Sequence, residues 1–228
     1  MLLVQSDTPS YRYPAENHYG PTEAQHTGGY LWGHIISLCA ALRARRIVDI
    51  GCGNGALCRE LASRGYEVVG CEPDVESLHA AQRAAPGLVF HRLGVDDDPS
   101  VIGNESLDVA IATEVIEHLV RPRNLTHFAK QLLRSGGYLI VSTPYHGYLK
   151  NLVLALTNRW DAHLNPFWDG GHIKFWSCKT LSQLLNESGF RIVRFIGAGR
   201  LPFLWKSMIV LAQKLEASEQ LINGDSPS

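Results

Sequence analysis

Short apolar runs alternate with amphipathic stretches through the middle of the chain. The apolar runs are typical of buried strands and cover residues 46–50, 66–72, 88–93, 107–112 and 137–142. Helical patterns precede or separate them at residues 30–42, 56–64, 75–84 and 124–133. Strands that alternate with helices at this spacing predict an α/β fold, in which helices cover both faces of a parallel sheet.

The alternation breaks at residues 144–176, which are rich in aromatic and turn-forming residues. A helix, a strand and a last apolar run follow the break, at residues 180–188, 190–196 and 207–212. The polar ends of the chain predict an N-terminal arm over residues 1–28 and a flexible tail over residues 217–228. We therefore expect one domain over residues 29–216 that carries residues 144–176 as an insertion.

The composition narrows the range of partners. Hydrophobic residues make up 45% of the 228 residues, which is enough for the core of one α/β domain. The net charge is −1, so the charge gives no reason to expect a nucleic-acid partner. No apolar run approaches the roughly 18 residues of a membrane span.

The start of the chain and the cysteines both bear on the cellular compartment that we expect for the protein. The N-terminus lacks the charged-then-apolar layout of a signal peptide. The five cysteines are scattered, and no two have the Cys-x-x-Cys spacing of a zinc or redox motif. They are typical of reduced thiols, so we expect a cytoplasmic protein. The sequence carries no signature of a particular oligomeric state.

A glycine-rich turn follows the first predicted strand. Gly51, Gly53 and Gly55 stand between this strand and a helix. Glycine permits a tight turn and a close approach of backbone to a ligand, and a helix N-terminus offers free N–H groups to anionic oxygens. Glu72 ends the second strand 21 residues after Gly51, where a carboxylate accepts hydrogen bonds from a ribose diol.

Asp49 distinguishes between the nucleotides that such a turn can bind. The pattern is Asp-x-Gly-x-Gly-x-Gly rather than Gly-x-Gly-x-x-Gly. A carboxylate at this place is a poor neighbour for a pyrophosphate and a good one for the ammonium of a methionyl group. A nucleoside with a methionyl group is therefore favoured, and an NAD site or a purely structural turn are the alternatives.

These residues resemble the first motif and the ribose ligand of the class I S-adenosylmethionine-dependent methyltransferases. The resemblance covers roughly residues 30–215 and implies a Rossmann-like sheet of seven strands, mostly parallel, with the last strand antiparallel. It implies S-adenosylmethionine as the cofactor. It also implies that Asp96 or Val95, after the third strand, contacts adenine, and that Gly136 and Gly137 form a structural turn before the fifth strand.

An acidic cluster follows the fourth strand, at the sheet edge where open α/β folds bind ligands. On one helical turn, Glu114, Glu117 and His118 would share a face at about 5–6 Å spacing. Two carboxylates and an imidazole there repel one another unless a proton or a cation joins them. Such donors suit a divalent metal, and Glu114 is also a candidate for the wall of the cofactor pocket.

The cluster resembles two families, the ubiquinone-pathway O-methyltransferases and the small-RNA 2′-O-methyltransferases. In the RNA family, two glutamates, a histidine and a later histidine before a Lys-Phe segment bind Mg²⁺. His172 precedes Lys174 and Phe175 in the same way, so the resemblance implies that it is the fourth ligand of Mg²⁺ or another divalent metal. His146 fits this role less well.

Two readings without a metal remain open for the same cluster. His118 would act as a general base, with Glu117 beside it as a second catalytic residue. Alternatively, the cluster lines the cofactor pocket and has a structural role only.

We expect O-methylation of a small-molecule hydroxyl, with residues 144–176 lining the acceptor pocket. One alternative is 2′-O-methylation of an RNA ribose, which the near-neutral charge and the short chain disfavour. Another is a cofactor-binding protein without catalysis, which the intact glycine turn and the acidic cluster disfavour.

Overall fold

The computed structural model describes residues 27–164 and 171–216. The predicted tail, residues 165–170 of the insertion and all but the last two residues of the predicted arm lie outside the described residues. Seven strands form one sheet: β1 (Arg46–Ile50), β2 (Glu67–Cys71), β3 (Val89–His91), β4 (Leu107–Thr113), β5 (Leu133–Pro144), β6 (Phe190–Ala198) and β7 (Ser207–Lys214). The predicted strands are thus all present.

The strand order in the sheet is β3-β2-β1-β4-β5-β7-β6. Strands β1 to β5 pair in parallel, and β7 runs antiparallel to both β5 and β6. This is the mostly parallel, Rossmann-like sheet with an antiparallel last strand that the family resemblance implied.

Helices cover both faces of this sheet. They are α1 (Gly28–Ala41), α2 (Ala56–Ala62), α3 (Val75–Ala84), α4 (Arg123–Leu132), α5 (Tyr148–Leu156), α6 (Trp160–Leu164) and α7 (Cys178–Glu187). Helices α1, α2 and α3 pack with one half of the core, and α4 and α7 pack with the other. The expectation of helices on both faces is confirmed.

Strand β4 shows how the sequence builds these two layers. Val109 and Ile111 belong to the α1–α3 layer, whereas Ala110 and Ala112 belong to the α4 and α7 layer. Alternate residues of a strand point to opposite faces, and a central parallel strand is apolar on both. The continuous apolar run therefore places β4 in the middle of the sheet.

The region after β5 differs from its expected turn-rich character. It contains helices α5 and α6. Residues 148–156 carry no glycine or proline, and leucine, alanine and lysine among them favour helix. The aromatic and turn-forming residues that flank this stretch obscured its helical pattern. Within the described ranges, no helix is long and apolar enough to cross a membrane.

The parallel strands place their carboxyl ends at one edge of the sheet. Ligands bind at this edge in open α/β folds, where the strand order reverses. The reversal lies between β1 and β4. The loops after β1, β2, β3, β4 and β5 carry most of the predicted site residues to this edge.

Candidate active site

The glycine turn after β1 is the tight turn that the sequence predicted, and its backbone is left-handed. The φ angles of Gly51, Gly53 and Gly55 are +74°, +54° and +71°. A Cβ atom on Gly51 would lie 2.6 Å from the side chain of Val115, so the turn also needs the absence of a side chain. The turn leads into α2, whose N-cap residue is Gly55.

Glu72 connects the glycine turn to the end of β2. Its Oε2 accepts a hydrogen bond of 2.8 Å from the Gly53 N–H, and its Oε1 accepts one of 2.9 Å from the Asp74 N–H. A carboxylate has about four acceptor positions, so capacity remains for a ribose diol. Burial raises the pKa of Glu72 to about 6, although both hydrogen bonds lower it.

Asp49 lies in β1 behind the glycine turn and is 2% exposed. Its Oδ2 accepts a hydrogen bond of 3.4 Å from the Cys58 thiol. Burial raises the pKa of Asp49 to about 7, and the charge of Glu72 adds to this shift. A buried carboxylate without a cationic partner favours binding of a cation nearby.

Asp96 lies in the exposed loop after β3. It accepts hydrogen bonds from the Asn124 side-chain amide and, at 3.4 Å, from the Arg121 guanidinium. These contacts tie the loop to the beginning of α4. The predicted contact of Asp96 or Val95 with adenine stays a prediction.

Three of the four predicted metal ligands converge. One donor atom each from Glu117, His118 and His172 lie within 4.8 Å of one another. The His118 and His172 rings meet edge to face with centroids 4.9 Å apart, and His172 Nε2 lies 3.9 Å from Glu117 Oε1. His146 is not in this group, and its ring packs on Phe175.

Backbone hydrogen bonds bring His172 to the cluster. The N–H groups of Ile173 and Lys174 both donate to the Glu117 carbonyl, at 2.9 and 3.0 Å. Glu117 and His118 lie in a short 3₁₀ turn, Ile116–His118, directly after β4. His172 stands 54 positions after His118 and therefore lies close to the point where β4 ends.

Glu117 is fully buried, and neither of its carboxylate oxygens has a hydrogen-bond partner among the described residues. Burial raises the pKa of Glu117 well above its ordinary value, and the charge of Glu114 raises it further. An unpartnered buried carboxylate is costly unless a proton or a cation neutralises it. Beside two imidazoles, this donor set fits a divalent metal ion.

Glu114 does not lie on the face of Glu117 and His118, and this corrects the expected single helical turn. Its φ angle is +54°, so the chain turns sharply before the 3₁₀ turn begins. Its carboxylate instead accepts hydrogen bonds from Ser142 Oγ at 2.8 Å and from Ser207 Oγ at 3.1 Å. Burial raises the pKa of Glu114 to about 7.

Four residues around Glu114 were not assigned to the site from the sequence. Ser142 and Ser207 lie in apolar strands, and the hydroxyls of Tyr30 and Ser207 are 3.2 Å apart. The fourth is Lys150, which is 6% exposed and donates to the Lys206 carbonyl at 3.3 Å. Nothing in the local sequence marks the two serines as site residues. A lysine within an apolar helical stretch, by contrast, is unusual enough to be noticed in the sequence.

The sheet order and the glycine turn, followed by an acidic residue at the end of β2, define the class I S-adenosylmethionine-dependent methyltransferase fold. A family model described as a methyltransferase domain matches residues 24–194. The chain belongs to this family and is an S-adenosylmethionine-dependent methyltransferase.

Relatives and solved structures agree with this assignment. A ubiquinone biosynthesis O-methyltransferase of Ruegeria sp. is 32% identical over 170 residues, which are 71% of this chain and 66% of the relative. One from Burkholderia pseudomallei is 28% identical over 172 residues, 71% of each chain. A methyltransferase structure from Methanosarcina mazei has a TM-score of 0.57 at 25% identity, over 75% of this chain and 92% of its own.

The fold is shared more widely than these identities show. The magnesium protoporphyrin IX methyltransferase of Synechocystis has a TM-score of 0.58 at 19% identity, and the match covers 80% of this chain and 81% of that one.

Proposed function

We propose that the protein transfers the methyl group of S-adenosylmethionine to a hydroxyl oxygen of a small molecule, assisted by a divalent metal ion. The observation that carries this proposal is the convergence of Glu117, His118 and His172 at the carboxyl edge of the sheet. The names of the relatives, ubiquinone biosynthesis O-methyltransferases, support oxygen as the acceptor atom. The near-neutral chain favours a small molecule over RNA.

The cofactor lies along the β1 and β2 side of this edge. Glu72 accepts hydrogen bonds from the ribose hydroxyls, and Asp49 faces the methionyl ammonium from behind the turn. Asp96 lies at the rim of the cofactor site, where the adenine binds. Glu114 lies at the end of β4, between the cofactor and the β5 side, and contributes to the wall of the pocket.

The reaction is an in-line displacement. The methyl carbon forms a bond to the acceptor oxygen as its bond to sulfur breaks, the hydroxyl proton passes to water, and S-adenosylhomocysteine is released. The protein contributes mainly by positioning the two reactants and excluding water. A divalent ion held by Glu117, His118 and His172 would lower the pKa of the acceptor hydroxyl.

The residues of the cluster divide this work. The Glu117 carboxylate would supply negative charge to the ion, and the two imidazoles would supply neutral donors. Three protein donors would leave coordination positions for acceptor oxygens. In the alternative without a metal, a ring nitrogen of His118 takes the hydroxyl proton.

Binding of Mn²⁺ as a stand-in for Mg²⁺ tests this proposal without a known acceptor. Calorimetry on the chelator-stripped protein should show one Mn²⁺ per chain. Glu117→Gln and His172→Ala should each weaken Mn²⁺ binding at least about tenfold, as loss of support for a metal typically does. His34→Ala, on the exposed side of α1, is the matched control and should bind normally.

Turnover tests the acceptor. Release of S-adenosylhomocysteine with a panel of catechols and dihydroxybenzoic acids should fall on chelation and return with Mg²⁺. The metal site would be refuted if wild-type protein bound no Mn²⁺ or if the folded variants bound it normally. Release only with RNA that has a free 3′ end would assign a different acceptor, and no release with either would leave a cofactor-binding protein.

A further inference from the structure

Helix α5 buries a charged side chain and exposes apolar ones, which is the opposite of an ordinary surface helix. Its most deeply buried side chain is Lys150, which is 6% exposed, whereas Tyr148 and Leu156 are 84% and 77% exposed. Lysine is among the side chains least often fully buried without a partner. The helix therefore directs its one cation into the molecule.

The partners of Lys150 do not account for this burial. An ammonium has three N–H donors, and among the described residues the Lys150 Nζ has one hydrogen bond, 3.3 Å long, to the Lys206 carbonyl. A carbonyl carries no charge, so it does not neutralise the lysine. At least two donors and the charge remain available.

The charges around Lys150 do not fully stabilise its ammonium. Burial and then the charge of Arg200 lower the pKa of Lys150 to about 8, and the charge of Glu114 raises it in part. The Glu114 carboxylate is itself held by Ser142 and Ser207, and burial raises its pKa to about 7. It is therefore only a partial counter-charge for two cations.

Lys150 also lies on the acceptor side of the sheet edge. Its hydrogen bond is to the residue before β7, and β7 lies beyond β5 in the strand order. The cofactor residues Asp49 and Glu72 lie at β1 and β2, on the other side of β4. Neighbouring strands are about 4.8 Å apart, so three strand spacings separate β1 from β7.

We propose that Lys150 binds a carboxylate on the methyl acceptor and so determines its specificity. The acceptor is then a hydroxylated carboxylic acid rather than a neutral phenol or alcohol. This inference rests on the proposed transfer to a small-molecule hydroxyl. The carboxylate takes the remaining donors of Lys150, while the hydroxyl lies on the Glu117 and His118 side of Glu114.

The binding of benzoate to protein saturated with S-adenosylhomocysteine tests this assignment. The bound product fills any site for the methionyl carboxylate, and EDTA prevents benzoate from binding through a metal. Wild type should bind benzoate more tightly than benzamide. Lys150→Met should weaken benzoate binding about tenfold or more, which is the loss expected for a charged hydrogen-bond partner, and should leave benzamide unchanged.

Three further variants separate binding from folding. Lys150→Arg keeps the charge and should retain most of the benzoate preference. Lys150→Met should melt at the same temperature as wild type or higher, because it removes a buried charge that Glu114 offsets only in part. Lys179→Met, an exposed lysine of α7, is the matched control. Lys150→Gln is the substitute if the methionine variant does not fold.

Three outcomes would overturn the proposal. They are equal binding of benzoate and benzamide by wild type, unchanged benzoate binding in Lys150→Met, and weaker binding of S-adenosylhomocysteine in that variant, which would assign the lysine to the cofactor. Because EDTA is present throughout, failure of the metal proposal leaves these results intact, and failure here leaves the Mn²⁺ measurement intact.

Discussion

Single residues at the sheet edge combine local structure with ligand binding. Glu72 accepts hydrogen bonds from backbone N–H groups of both the glycine turn and the beginning of α3, and we propose that it also binds the ribose of the cofactor. Its carboxylate therefore fixes the turn before the cofactor arrives. Such preorganisation reduces the entropy lost on binding.

Replacing Glu72 with alanine should weaken S-adenosylhomocysteine binding by about tenfold to a hundredfold. The ribose hydroxyls lose a charged acceptor, which costs about 1.5–3 kcal/mol. Calorimetry measures this change. Glu76→Ala, an exposed carboxylate in the first turn of α3, is the matched control and should bind normally. Equal affinities for the folded Glu72→Ala protein and wild type would place the ribose elsewhere.

The sequence predicted some of these residues and missed others for a physical reason. Gly51 and Glu72 were recognisable because backbone conformation and spacing constrain the residue type. The direction of the Glu114 side chain was not, because it depends on a φ angle of +54° and on two serines from β5 and β7. Contacts between distant strands leave no local pattern.

At the scale of elements, the glycine turn is the most constrained segment. Gly53→Val should abolish cofactor binding and leave most of the secondary structure intact. A φ angle of +54° is unfavourable for a β-branched residue, so the turn must move and the Gly53 N–H shifts away from Glu72. Calorimetry and circular dichroism measure the two effects.

The control for this variant is another glycine of the chain. Gly33 lies in α1, and a Cβ atom there would have no heavy atom within 4 Å. Gly33→Ala should therefore bind the cofactor normally and be more stable by up to about 1 kcal/mol. Normal binding by the Gly53→Val protein would show that the turn does not approach the ligand.

The predicted elements agree with the structure wherever burial follows the hydrophobic pattern. Strand β1 and helix α3 have the predicted bounds, because their apolar faces meet the core. Helix α5 was missed, although Leu149, Leu152, Val153 and Leu156 have helical spacing. The same spacing would have predicted the wrong buried face, since these leucines and the valine are exposed and Lys150 is not.

At the scale of the whole molecule, buried acids connect stability with pH. Burial raises the pKa of Asp49 to about 7 and that of Glu72 to about 6. The folded protein therefore holds these protons more tightly than the unfolded chain does. Its free energy of unfolding should fall as the pH rises from about 4 to 7.

The cofactor should reverse this trend. In the proposed site Asp49 and Glu72 bind it as anions, so the affinity for S-adenosylhomocysteine should rise from pH 5 to pH 8, by about tenfold through ionisation of Glu72 and by a further factor through ionisation of Asp49. Thermal melts with and without this ligand should diverge as the pH rises. Glu72→Gln, which cannot ionise, should show a flatter dependence. An affinity that is independent of pH would contradict ionisation of both acids on binding.

The hydrogen bonds from Ile173 and Lys174 to the Glu117 carbonyl have a consequence for the evolution of this enzyme. They involve only main-chain atoms, so the placement of His172 does not depend on which side chains precede it. The segment between Pro144 and Gly171 is therefore open to divergence in length and composition, while the histidine keeps its position. Because we expect that segment to line the acceptor pocket, chimaeras made at these two junctions should differ in the acceptor that they methylate.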